Sequence, residues 1–125
     1  MPGELQPGGT PRMRVVNRAA IIVRPKAPYV QWAASLDAES ADLAPDLHGK
    51  VSIYLVPEDM TGEEETPPLE LFFRAIFEHE LEAWTEDRAE WPQARDLKTF
   101  REWFDVARES VVVDLGQGEL EIEVL

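Results

Sequence analysis

The sequence contains no cysteine, which removes disulfides and thiolate metal ligands and gives no sign of an oxidising compartment. It also has no long apolar run. The longest, Ala19 to Val23, is far short of the roughly 20 residues a membrane-spanning helix needs. No basic start followed by an apolar stretch opens the chain, so no signal peptide is expected and the expected location is the cytoplasm. Glycines are not arranged as a phosphate loop. Gly8-Gly9 lies in a proline-rich stretch, and Gly116-x-Gly118 follows a strand-like segment without opening a helix. No serine sits in a Gly-x-Ser-x-Gly elbow, so with no thiol either there is no recognisable nucleophile set. No cofactor is expected, and there is no internal repeat.

Positive charge is scarce as well. Lysine and arginine number 12 against 25 acidic residues, a net charge of −13. The imbalance is uneven: residues 1–50 carry six basic and five acidic side chains, residues 51–125 six basic and twenty acidic. Such a field repels phosphate backbones and anionic membranes. Direct nucleic-acid binding and membrane association are therefore not expected, whereas a basic or neutral protein partner is compatible with it.

What is present is enough for one domain: 125 residues, 44% of them hydrophobic, with four tryptophans. Residues 1–13, rich in proline and glycine, read as a disordered tail. Arg14 to Arg24 holds a β-branched, two-sided apolar run and reads as one interior strand. Tyr29, Trp32, Ala33 and Leu36 form a one-sided helical stripe. Residues 37–49 look like a loop with a helical turn, and Lys50 to Val56 like a second strand. Glu58 to Thr66, with Glu63-Glu64-Glu65, is an acidic surface loop.

The organising stretch is 66–85. Thr66 is suited to cap it and Pro67 to open it, and Leu69, Phe72, Phe73, Ile76, Phe77, Ala83 and Trp84 then share one face. Trp91-Pro92 breaks the polar connection that follows. Asp96 is placed to cap a third helix with Leu97, Phe100, Phe104 and Ala107 inside and Trp103 beside them. Ser110 to Leu115 reads as a third strand. Residues 116–125 form an extension whose alternating Glu119 to Leu125 suits a fourth, edge strand. The expected fold is α+β: a small mixed sheet of three to four strands, with about three helices mainly on one face, over residues 14–115. The connection between the first two strands is long enough for a parallel crossover.

Residues 17–26 (Asn-Arg-Ala-Ala-Ile-Ile-Val-Arg-Pro-Lys), Trp32, Tyr54-Leu55-Val56-Pro57-Glu58, Phe77-Glu78, Glu80-Leu81, Trp84, Trp91-Pro92 and Phe100 to Asp105, continuing through Val111 to Leu115, carry a resemblance to a family of small uncharacterised bacterial proteins. The resemblance spans roughly 17–115 and implies a domain there. It implies no activity.

Glu80 is the chemical oddity, because a carboxylate on an apolar helix face must be paired, protonated or at a rim. It reads either as a proton-transferring acid with a raised pKa or as a structural ion pair with Arg24, Lys26 or Arg101. As a catalytic candidate, Glu80 would be joined in a ligand pocket by Arg24, Lys26, His79 and Trp103. His79 and Glu82 are one turn apart, but neither the His-Glu-x-x-His nor the Glu-x-x-His spacing is met, so no metal site is expected. Trp91 is the candidate anchor for a partner if exposed; otherwise it tucks under its own loop. Three functions follow: a non-enzymatic acidic interaction module of the bacterial cytoplasm, a small enzyme or ligand-binding domain built on Glu80, or an acidic nucleic-acid mimic.

Overall fold

The computed structural model describes residues 5–58 and 66–125, without the side chains of residues 66–68. The acidic run Glu63-Glu64-Glu65 and the capping roles of Thr66 and Pro67 lie outside what is described. In chain order the strands and first helices are β1 (Arg14–Val16), β2 (Arg18–Pro25), α1 (Ala27–Ala34) and α2 (Ala38–Leu43), followed by a 3-10 turn over Ala44–Gly49. Then come β3 (Ser52–Pro57), α3 (Thr66–Glu82), a short 3-10 turn, α4 (Leu97–Trp103), β4 (Phe104–Glu109) and β5 (Val112–Asp114).

The Ala19–Val23 run forms the middle of a three-stranded sheet ordered β3-β2-β4. Ala19, Ile21 and Val23 are at most 1% exposed, and they belong to one core with Tyr29 of α1, Val56 of β3, Leu69, Ile76, Phe77 and Leu81 of α3, Phe100 of α4 and Phe104 of β4. Helices therefore cover one face. Phe100 and Phe104 lie 5.1 Å apart and Phe77 lies 5.6 and 5.7 Å from them, with Tyr29 4.9 Å from Phe104. Each fully buried large apolar side chain contributes about 1.5–3 kcal/mol, so this cluster is the main stabilising unit. On the other face Ile22 stands beside Ile53 and Ala20 beside Leu55, and Ile53 and Leu55 are exposed.

The class is α+β, with several departures in detail. Both pairings of β2 are antiparallel, so the sheet is not mixed and no parallel crossover exists. The first strand is two: the chain bends at Asn17, and β1 pairs with β5 in a separate antiparallel ribbon. Ser110 to Leu115 thus contributes to that ribbon rather than to the main sheet. Residues 37–49 hold α2, capped by the Asp37 carboxylate accepting from the Ser40 amide at 2.7 Å. The third helix stops at Trp103, and Phe104 adopts extended backbone (φ −136°, ψ 141°). Ala107 therefore lies in a strand, because the free edge of β2 claims residues 104–109. Residues 119–125 form no strand. Arg12, within the stretch read as tail, donates to the Gln117 carbonyl at 3.0 Å. Among the described residues no helix is long and apolar enough to cross a membrane.

Candidate functional site

Side chains alternate along β3: Tyr54 and Val56 turn toward the helices, Ile53 and Leu55 away. Glu80 lies on the inner face of α3, one turn beyond Ile76 and Phe77, and is 9% exposed. The fold brings Tyr54 to it. The Tyr54 hydroxyl donates to the Glu80 carboxylate Oε2 and lies 3.0 Å from His79 Nδ1, with the two rings edge-on at 5.7 Å. A phenol has one proton. If it goes to Glu80, His79 must donate from Nδ1 to the Tyr54 oxygen, giving a directed chain from His79 through Tyr54 to Glu80. Tyr29 of α1 donates to the Glu80 backbone carbonyl at 2.6 Å.

Burial pushes the Tyr54 phenol well above its ordinary range, and the hydrogen bond and negative charge of Glu80 push it further. Burial first, and then Glu80, do the same to Tyr29. Both tyrosines stay protonated donors at neutral pH. The arrangement answers the problem posed by a carboxylate on an apolar face: its partner is a phenol on the neighbouring strand. Among the described residues the ion pairs are Arg14–Asp114, Arg88–Glu78 and Arg95–Glu78, and Glu80 is in none of them.

The other candidates are dispersed. Lys26 Nζ donates to the Arg101 carbonyl at 3.2 Å, its backbone amide donates to the Trp103 carbonyl at 2.8 Å, and exposed Arg24 stands opposite Asp105 in the β2–β4 register. Both basic residues thus serve the junction of α1, α4 and β4. Trp103 packs against Phe77 and Trp32 at 5.6 and 5.9 Å, and against Tyr29 at 6.3 Å, as part of the aromatic core. The pocket expected from Glu80, Arg24, Lys26, His79 and Trp103 does not assemble; only His79 stays with Glu80. Trp91 is not an exposed anchor. It is 6% exposed, its indole N–H reaches the Thr85 carbonyl at 3.0 Å, and the Arg88 guanidinium lies 4.7 Å over its ring.

The sequence reading missed Tyr54 and the hollow it lines. That hollow, about 150 Å³, runs between β3 and α3 and is walled by Tyr54, Leu55, Val56, Phe72, Ala75 and Ile76. The signal was the alternation of β3, which puts Tyr54 and Val56 on one side, but which helix they meet is a long-range fact. A shallower dimple of about 120 Å³ touches His79, Glu82, Ala83 and Glu86, and no group of three metal-ligating side chains occurs among the described residues. Another cavity, about 530 Å³, lies between residues 5–11 and Leu115 and Gln117 and is lined by no titratable side chain.

No family model, curated protein or solved structure matches the chain.

Proposed function

We propose that the protein is a non-enzymatic interaction module that takes an extended polypeptide segment along the free edge of β3. The observation that carries this reading is the edge itself. Among the described residues β3 pairs with β2 on one side only, which leaves alternate N–H and C=O groups on the other side for a further strand. Beside that edge lies the apolar hollow against α3, and Ile53 and Leu55 stand 64% and 50% exposed on the outer face. Strand addition uses such a combination: main-chain bonds give affinity, and pockets for every second side chain give selectivity.

The rival reading, a small-molecule or catalytic pocket around Glu80, has less support. The hollow of about 150 Å³ is well below the roughly 300–1,000 Å³ of ordinary ligand pockets. The Glu80 carboxylate is already committed to Tyr54.

The test is a titration of isotope-labelled protein with a capped peptide of alternating glutamate and valine. A peptide of the same composition with its residues in blocks serves as control. Shifts confined to Ser52–Pro57 and Phe72–Ile76 with the alternating peptide alone are expected. Equal shifts with both peptides, or none with either, would overturn the reading.

A further inference from the structure

Among the described residues, the fold that leaves β3 open also leaves the segment after Gly118 outside any sheet. Glu119 to Leu125 alternates acidic and apolar residues and forms neither helix nor strand. Leu120, Ile122, Val124 and Leu125 are 59%, 83%, 91% and 97% exposed. Three of these, Leu120, Ile122 and Val124, are held out in water at period two, the pattern of a strand that lacks its sheet. We infer that this segment of a second copy of the chain is the occupant of the β3 edge, an inference that rests on the strand-addition reading above.

Length, pattern and charge agree. At about 3.4 Å per residue, seven extended residues span the six of β3 with little to spare. Leu120, Ile122 and Val124 enter the hollow beside Phe72, Ala75 and Ile76. Glu119, Glu121 and Glu123 then face outward, on the side where β2 presents Arg18, Ala20, Ile22 and Arg24. Those two arginines bracket the Ile53–Leu55 stripe, since Arg18 stands opposite Pro57 and Ile22 opposite Ile53.

In a chain of net charge −13, residues 5–36 hold five basic and no acidic side chains, and Lys50–Pro57 holds no acid. β2 and β3 thus carry no acid, and of the acids on α3 Glu78 and Glu80 are already engaged by Arg88 and Tyr54. The other edge differs: β4 presents Asp105 and Glu109 on its outer face. Arg14 fixes where the segment leaves the body, donating to the Gly118 carbonyl at 2.7 Å. Exchange of the segment between two copies makes the contact reciprocal, as a two-fold dimer requires.

Sedimentation of the full chain up to about 1 mM tests this, with two variants. Ile122→Asp puts a charge where the hollow is apolar, and Ala75→Glu fills the hollow from an exposed position of α3; circular dichroism confirms that both keep the fold. The wild type is expected to form a dimer, and each variant alone to self-associate at least about tenfold more weakly. Mixing the two variants is expected to give a one-to-one heterodimer, because Ile122→Asp retains an intact edge and Ala75→Glu an intact segment. A wild type that stays monomeric throughout, variants that dimerise as well as the wild type, or a mixture that shows no heterodimer would overturn the assignment. If the wild type is monomeric while the alternating peptide binds β3, the occupant is wrong and strand addition stands. If the peptide fails as well, both fall.

Discussion

β3 and β4 flank the same central strand, contribute to the same core and have six residues each, yet their outer faces are opposites. β4 turns Phe104 and Val106 inward and shows Asp105, Ala107 and Glu109 to water. β3 turns Tyr54 and Val56 inward and shows Ile53 and Leu55. Charge on an edge strand discourages further pairing, so β4 is closed to a partner by its chemistry whereas β3 is not. The inner faces differ too. β4 is anchored by a phenylalanine that is 1% exposed, and β3 by a phenol joined to a carboxylate on α3. One strand is held by packing and the other by a polar contact beside a hollow.

The sharpest way to break the comparison is to remove the anchor of the closed edge. Phe104→Ala deletes a ring that touches Tyr29, Phe77 and Phe100. The expected loss is about 3–5 kcal/mol, the range for a fully buried aromatic, measured by urea unfolding. The amides of residues 104–109 should exchange faster than those of β3. A loss confined to a few tenths of a kcal/mol would mean that β4 is not held through its first residue.

Next in size is the anchor of the open edge. Tyr54→Phe keeps the ring and removes the hydroxyl, leaving a buried carboxylate oxygen without its donor. A loss of about 1–3 kcal/mol is expected. Tyr54 and Tyr29 are the only two tyrosines, and both are raised above the ordinary value of 10.0. In the unfolded chain they ionise near that value while in the folded protein they remain protonated. Their contribution to stability is therefore complete below pH 10 and declines as pH rises towards the folded values. Stability measured against pH should fall above about 10 in the wild type, with a roughly halved slope in Tyr54→Phe. Tyrosinate absorbance appearing near pH 10 in the folded protein would contradict the burial of both phenols.

Neither anchor was legible in the sequence as the anchor of its strand, although much of the frame around them was, and the reason is range. Ala19 to Val23 announces an interior strand because β-branched residues on both faces leave no wet side. α3 announces itself by its one-sided aromatics, and Asp96 by its place before α4, where it accepts from the Thr99 amide at 2.8 Å. The same aromatic logic misplaced Phe104, because Phe100-x-x-x-Phe104 fits a helix while Phe104-x-Val106 fits a strand. Neither glycine nor proline marks the break at Trp103, and the edge of β2, some eighty residues away in sequence, decides it. Glu80 was conspicuous as an anomaly, but its partner Tyr54 lies 26 residues back on another element. The ribbon of β1 with β5, closed by Arg14 and Asp114 at 2.5 Å, joins positions 100 apart that carry no local sign of each other.

A smaller perturbation sharpens the contrast on the outer face. Leu55→Glu replaces a half-exposed side chain with a charge of the same sign as the peptide's glutamates that would stand beside it on the outer face. Its effect on unfolding stability should stay within about 0.5 kcal/mol, as for surface substitutions generally. Binding of the alternating peptide at β3 should nevertheless weaken at least about tenfold. A large stability change with unaltered binding would show that Leu55 belongs to the core and not to a docking edge.

The smallest expected effect comes from making β4 resemble β3. Asp105→Ile with Glu109→Leu removes both charges from the outer face of β4 and leaves Phe104 and Val106 in place. Because Arg24 stands opposite Asp105 in the register, the exchange forfeits at most a surface ion pair, worth about 0–1 kcal/mol. If charge alone closes this edge, the alternating peptide should now shift amides of β4 as well as β3, with weaker binding at the new edge. The weakness has a structural reason: β3 has the hollow against α3 beside it, whereas under β4 the space is filled by Phe104, 1% exposed and packed against Phe77 and Phe100. Binding at β4 as tight as at β3 would show that the hollow contributes nothing and that charge is the whole distinction between the edges. No binding at β4 would assign the distinction to the hollow instead.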